Sequence, residues 1–198
     1  MEGDEHMTVL VDKNRCVGCG ICTSICSDGI RLDIIKGYAL IVDGNSECMD
    51  KARRACPQEA ITEINEKLKF AIGTDDEKTV KPDDHVGMSA FFHIFEYSDG
   101  EMIFKEKREN PKYKSDETRI HGDPGKAKAT ASVLQDVDVL IGKMMGPNIV
   151  RLKKQFVCVI VREKEISHVI DIIKENICTV LHEKNKSDSN ERRGILLK

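Results

Sequence analysis

The sequence has no tryptophan, and its aromatic share is only 5%. Its cores must therefore be built from Ile, Val, Leu and Met. No run of about 18 apolar residues occurs, the length a helix needs to cross a bilayer, so no membrane association is expected. The opening residues, Met1-Glu2-Gly3-Asp4-Glu5-His6, carry no apolar stretch. An export signal is therefore not expected, and a cytoplasmic location is the default. A concentrated basic stripe is also lacking. Residues 1–66 hold 7 Lys/Arg against 12 Asp/Glu, and residues 67–198 hold 24 against 22. Neither balance suits a nucleic-acid binder. Catalytic signatures are missing as well: there is no Walker loop, Gly-x-Gly-x-x-Gly, His-Glu-x-x-His or Gly-x-Ser-x-Gly. No enzyme activity of the chain itself is expected.

What the sequence does have is cysteine. Six of its eight cysteines fall within residues 16–56, and Cys158 and Cys178 stand alone. Dense cysteines in a reducing compartment are more often metal ligands than a disulfide framework. The motif is Cys16-x-x-Cys19-x-x-Cys22-x-x-x-Cys26, then Cys48, then Cys56-Pro57. Three thiolates at two-residue gaps can wrap three corners of a cubane from one tight loop. Gly18 and Gly20 allow that loop to bend around inorganic sulfide. The fourth corner must come from elsewhere, and Cys56 before a turn-forming proline is the natural candidate. Zinc sites favour two separated Cys pairs over a triplet. Residues 16 to 57 are therefore expected to hold one iron–sulfur cluster, a [4Fe–4S], with a [3Fe–4S] form lacking the Cys19 ligand as the alternative.

The rhythm of the chain divides it into two domains and a tail: 1–66, 67–184 and 185–198. In the first, residues 7–12 read as a strand, 30–43 as a hairpin turning at Lys36-Gly37, 47–55 as a helix and 60–64 as a returning strand. In the second, strands are expected at 69–73, 90–97, 102–109, 137–141 and 156–161. Ser98-Asp99-Gly100-Glu101 forms a hairpin turn. Helices are expected at 126–135, from Pro147 to about 154, and as one long element from Glu165 to about Glu183. Residues 110–125 read as a polar loop. The tail, being polar, is expected to lie outside the fold. The expected class is a two-domain α+β / α/β protein whose second domain carries a mixed sheet.

The cysteine motif resembles one-cluster bacterial-type ferredoxins over about residues 8–64. The resemblance implies electron transfer through a cluster bound by Cys16, Cys19, Cys22 and Cys56. In two-cluster ferredoxins the fourth cysteine of the run binds the other cluster. Only Cys48 and Cys56 lie downstream here, so Cys26 and Cys48 are left over. In one-cluster relatives the equivalent pair can form a disulfide. That implies that Cys26 and Cys48 are neighbours, bridged or as free thiols.

The second half holds Phe70-Ala71-Ile72-Gly73-Thr74-Asp75, His85-Val86-Gly87, the stretch from Phe91 to Asn110, and Asp136 to Pro147. These ordered motifs resemble the dinitrogenase iron–molybdenum cofactor biosynthesis domain over about residues 68–182. The resemblance implies a ribonuclease-H-like fold without nuclease activity, and binding or carriage of iron–sulfur or iron–molybdenum-type cofactor precursors. His85, His121 and Gly146 are the candidate cofactor-binding residues; the other reading of the two histidines is as solvated loop residues. The turn before Pro147 leads into a helix N-terminus, which favours anions. His93, His168, Met144, Met145, Cys158 and Cys178 read as packing or structural residues.

The expectation is an iron–sulfur electron-transfer protein whose second domain binds or carries a metal-cluster cofactor or precursor. Its partners would be a redox protein or a metallocluster client, met by the acidic first domain. The alternatives are an electron-transfer subunit of an oxidoreductase complex, or a redox or metal sensor switched by Cys26 and Cys48.

Overall fold

The computed structural model describes residues 8–64, 67–82, 85–110 and 124–197. The chain divides into two compact units, Met1–Glu66 and Lys67–Lys198. Among the described residues no helix is long and apolar enough to cross a membrane.

The first unit is framed by two short strand pairs. Strand β1 (Thr8–Val11) runs antiparallel to β4 (Ile61–Ile64), with Thr8 opposite Ile64 and Val11 opposite Ile61. Strands β2 (Ile30–Asp33) and β3 (Tyr38–Ile41) form the hairpin expected around Lys36-Gly37. Its turn is fixed by Asp33, whose Oδ1 accepts from the N–H groups of Ile35 (3.1 Å) and Lys36 (3.0 Å). Gly37 supplies the positive φ of 76° that ends the turn. Helices α1 (Ile21–Ile25) and α2 (Met49–Arg54) complete the unit. Its apolar core is small: Val9, Ile30, Ala39, Met49, Ala52 and Ile61, together with Cys22 and Cys26. A core of this size needs a staple. One is a disulfide between Cys26 at the end of α1 and Cys48 at the start of α2. Closing a loop of 22 residues contributes about 3 kcal/mol through the unfolded chain.

The second unit is a six-stranded mixed sheet. Its strands are β5 (Leu68–Thr74), β6 (Phe91–Ser98), β7 (Glu101–Glu109), β8 (Val139–Gly142), β9 (Val157–Val161) and β10 (Ile195–Leu197), in the order β10-β9-β8-β5-β6-β7. Strand β6 runs antiparallel to both its neighbours, β5 and β7, whereas β5, β8, β9 and β10 are parallel. The β6–β7 turn is the expected one: Asp99 (φ 55°) and Gly100 (φ 82°) both take the left-handed conformation a two-residue hairpin loop demands. Alternation along β5 explains the burial on both faces. Ala71, with Leu140 and Cys158 on neighbouring strands, joins the cluster around Leu134, Leu152 and Phe156. The flanking Phe70 and Ile72 are equally buried and point the other way. Helix α3 (Pro124–Val133) and the single turn α4 (Ile149–Leu152) pack on the Ala71 side of the sheet.

Three expectations are corrected. The single helix foreseen over 165–183 is two, α5 (Ile166–Glu175) and α6 (Ile177–Lys184). At the break, the Asn176 side chain donates to the carbonyl of Ile172 (2.8 Å), standing in for a helical N–H and letting the backbone turn away. The helix foreseen from Pro147 to 154 shrinks to four residues, Ile149–Leu152, flanked by tighter turns. The tail 185–198 does not lie outside the fold. Asp188 caps a 3-10 turn (Ser189–Glu191), and Ile195–Leu197 then adds to the sheet with Ile195 opposite Val159. The polar run at 184–194 hid the apolar Ile-Leu-Leu that follows it.

The register of β8 beside β5 is held by charge. Asp136 accepts both arms of Arg108 from β7 (2.6 and 3.0 Å) and the ammonium of Lys69 from β5 (2.8 Å). The hydrogen-bonded Arg108 guanidinium, followed by Lys69, holds the Asp136 carboxyl well below the usual carboxylate range. A carboxyl depressed in the folded state contributes stability above its unfolded value, near pH 4, and loses it as pH falls towards the folded value. The Asp136 side chain is 45% exposed, so solvent screens its ion pairs, and Asp136→Asn should lower the urea midpoint at pH 7 by the equivalent of up to about 1 kcal/mol. The gap to wild type should close as pH falls below about 4. A gap that is the same at pH 3 and pH 7 would show that the carboxylate charge is not the source.

Candidate metal centre and cofactor crevice

Four cysteines from two separate segments line one cavity in the first unit. Beyond β1, Asp12 ends the strand, and its carbonyl accepts from Arg15 (3.2 Å) and Cys16 (2.9 Å). That turn aims Cys16 inward. The loop then passes Gly18 (φ 66°) and Gly20 (φ 76°), which caps α1. A Cβ on Gly18 would stand 2.5 Å from the carbonyl oxygen of Gly37, so the hairpin tip lies directly against the loop. Cys22 follows in the first turn of α1 and is buried, whereas Cys19 is exposed. Cys56 arrives from the far side, where the chain leaves α2 and turns at Pro57. The two segments are brought together by the β1–β4 pair, which continues as Asp12 N–H to Ala60 O (2.7 Å).

The cavity between them is lined by Cys16, Cys19, Cys22 and Cys56, with Leu32, Ala39, Ala60 and Ile61 as its apolar wall. Two backbone donors point at the sulfurs: Ala39 N–H at Cys16 (3.4 Å) and Ala60 N–H at Cys56 (3.3 Å). Burial pushes the Cys22 thiol up, and the neighbouring Cys16, Cys56 and Cys19 add to the shift. Thiols in such a place ionise together only with a cation between them. Three thiols from one tight loop and a fourth from a distant segment, set on an apolar wall, fit an iron–sulfur cluster better than the two separated pairs that a zinc site favours.

In the second unit the structure brings His85 and Gly146 together. A Cβ on Gly146 (φ 60°) would lie 2.7 Å from the His85 imidazole, so the ring rests on a bare α-carbon. His121 lies outside the described residues. The 3-10 turn Val86–Met88 is hung from the neighbouring loop by Val86 N–H to Met144 O (2.8 Å). Asn110 donates to the carbonyls of Gly87 (2.9 Å) and Ser89 (2.8 Å), and Asp75 accepts from Ala90 N–H (2.7 Å) and from Lys81. Gly73 is the last residue but one of β5 and Gly142 ends β8, and side chains there would strike Ser89 and Val86. From β5 the chain first builds one side of the sheet, β6 and β7, and then the other, β8 to β10. His85 and Gly146 thus sit beyond the carboxyl ends of the strands where the order reverses, the usual place for a ligand crevice in such sheets. The four-residue α4 is too short to act as the anion-binding helix expected after Pro147.

Gly73, Gly142 and Asn110 stand within the quoted motifs, but the sequence assigns them no role of their own and does not single out Lys81. Met145 and Cys158 are buried packing residues, His93 is buried in β6, and Met144 is 45% exposed.

Comparison with known proteins follows the same division. Residues 9–62 match the 4Fe-4S single cluster domain family. They are 46% identical to a ferredoxin of Thermococcus litoralis over 57 residues, 28% of this chain and 97% of that protein. A ferredoxin of Thermococcus kodakarensis is 36% identical over 55 residues, 27% of this chain and 87% of that protein. Residues 66–177, more than half of the chain, match the dinitrogenase iron-molybdenum cofactor family. The chain belongs to the dinitrogenase iron-molybdenum cofactor family and carries, ahead of that family's domain, a 4Fe-4S single cluster domain of ferredoxin type.

Proposed function

We propose that the first unit is a one-electron carrier with a single [4Fe–4S] cluster on Cys16, Cys19, Cys22 and Cys56. We further propose that it serves a metal-cluster cofactor or precursor bound by the second unit. The observation that carries the reading is the convergence of four thiols from two segments on one apolar-walled cavity. When bound, the cluster supplies a one-electron couple. The chain's residues do the rest. Leu32, Ala39, Ala60 and Ile61 keep water from the buried side. The Ala39 and Ala60 N–H groups share the negative charge on two sulfurs, which favours the reduced state. Exposed Cys19, with Val17 at 64% exposure, marks the edge where a redox partner approaches closest.

In the second unit, His85 offers an imidazole to an exposed iron or molybdenum of the cargo, and Gly146 leaves room for the ring. The antiparallel trio followed by parallel strands supports the ribonuclease-H-like reading of this sheet. Holding carrier and cargo on one chain raises the concentration of one at the other. The partners are then a donor to the first unit and a metallocluster client of the second.

Protein purified without oxygen should contain about four irons and four sulfides per chain, and reduction should produce an electron paramagnetic resonance signal. Cys56→Ser should lose most of that iron. Iron unchanged in Cys56→Ser would remove Cys56 from the ligand set. For the second unit, full-length Cys56→Ser protein offers a chain without its own cluster. Titrated with isolated iron–molybdenum cofactor, it should bind, and adding His85→Ala should weaken binding by at least about tenfold, as loss of a metal contact does. Equal binding with and without His85 would refute its role.

A further inference from the structure

The one trio of ligand-type side chains within 4.8 Å of one another among the described residues is not at the cluster cavity. It is Cys26, Asp28 and Cys48. The two sulfurs are joined as a disulfide, and Asp28 Oδ1 stands 3.1 Å from the Cys48 sulfur. Ser46 completes the group. Its hydroxyl donates to Asp28 Oδ2 (2.7 Å) and lies 3.1 Å from the Cys48 sulfur and 3.5 Å from the Cys26 sulfur. That hydrogen bond occupies the far carboxylate oxygen and leaves the near one facing the sulfurs.

The backbone is shaped to this spot. A Cβ on Gly29 would fall 2.8 Å from the Cys26 sulfur and 2.9 Å from both Ser46 and Met49, so only glycine lets the chain pass. Cys26 is fully buried, Cys48 is half-buried and Asp28 is exposed. The group therefore has a dry floor and an open mouth.

We propose that reduction of the Cys26–Cys48 disulfide opens a mononuclear site for a zinc-type divalent cation, held by both thiolates and the Asp28 carboxylate. A disulfide is neutral and a poor donor, so the oxidised site is closed. A dithiol reductant delivers two electrons and two protons to the disulfide and leaves as its own disulfide. The cation then displaces the two thiol protons to solvent and takes two soft sulfur ligands and one oxygen. Water, or the Ser46 hydroxyl, fills the fourth position. In the oxidised chain the two sulfurs are adjacent because they are bonded; reduction lets them part to the separation a single tetrahedral ion sets, with the Asp28 carboxylate already beside them.

The test uses the full chain with its iron in place. Oxidised and phosphine-reduced samples are dialysed without oxygen against zinc, and both metals are counted. The reduced chain should hold one zinc more than the oxidised chain, with iron unchanged. Cys48→Ser should abolish the extra zinc while keeping the iron, which also shows that the variant folds. Asp28→Asn should weaken zinc binding by at least about tenfold, since loss of a ligand costs no less than loss of an outer-shell partner. Equal zinc in both redox states would overturn the proposal, as would reductant-dependent zinc that persists in Cys48→Ser. Zinc gained only as iron is lost would place it in the four-cysteine cavity and overturn it equally.

Discussion

Thiolates repel one another, and a low-dielectric wall makes the repulsion worse. The first unit is arranged around that difficulty. Cys16, Cys19 and Cys22 come from one loop, and Cys56 comes from the far end of a helix. They meet because the β1–β4 pair sets Asp12 beside Ala60, a few residues from each. The hairpin tip at Gly37 leans on Gly18, and the Cys26–Cys48 bond ties α1 to α2. Without a cation these devices would hold four groups where they are least stable. With one, the same crowding becomes affinity, so folding and metal binding are linked.

The second unit solves a different problem: fixing a loop at the end of a sheet by burying Val86 and Ser89 while His85 and Met88 stay accessible. Segment 85–89 lies over the ends of β5 and β8, where Gly73 and Gly142 have no side chains to lift it. Asn110 and the Met144 carbonyl hold it from either side. His85 is thereby presented on a fixed backbone at the reversal point of the strand order.

Local features were legible in the sequence. The triplet of cysteines has a spacing that few other structures require, and Lys36-Gly37 and Asp99-Gly100 announced their hairpins through residues suited to left-handed backbone. Features set by distant neighbours were hidden. Nothing local to residues 139–142 reveals that β8 lies beside β5 and not beside β7; that pairing is set by the packing of the whole sheet, and the contacts of Asp136 with Lys69 and Arg108 appear only once it has formed. The apolar spacing from Ile166 to Val180 is helical throughout, so the break at Asn176 escapes a periodicity argument. Gly73 and Gly142 look like ordinary strand ends until the Val86 turn is packed on them. The Asp28 carboxylate, in turn, meets the Cys48 sulfur through a fold that brings residues 46–48 back beside it, with Ser46 holding its other oxygen.

Strand β10 has a kinetic meaning. Ile195 must find Val159 across two helices and a 3-10 turn, a parallel pairing of high sequence separation. During synthesis the outer edge of β9 therefore stays uncovered after the rest of the sheet can form. Its sequence, Val-Cys-Val-Ile-Val, is apolar, β-branched and uncharged, the type most prone to capture by another chain. Strand β10 acts as a latch that covers this edge of β9, and the interval before it pairs is when that edge is most open to capture by another chain.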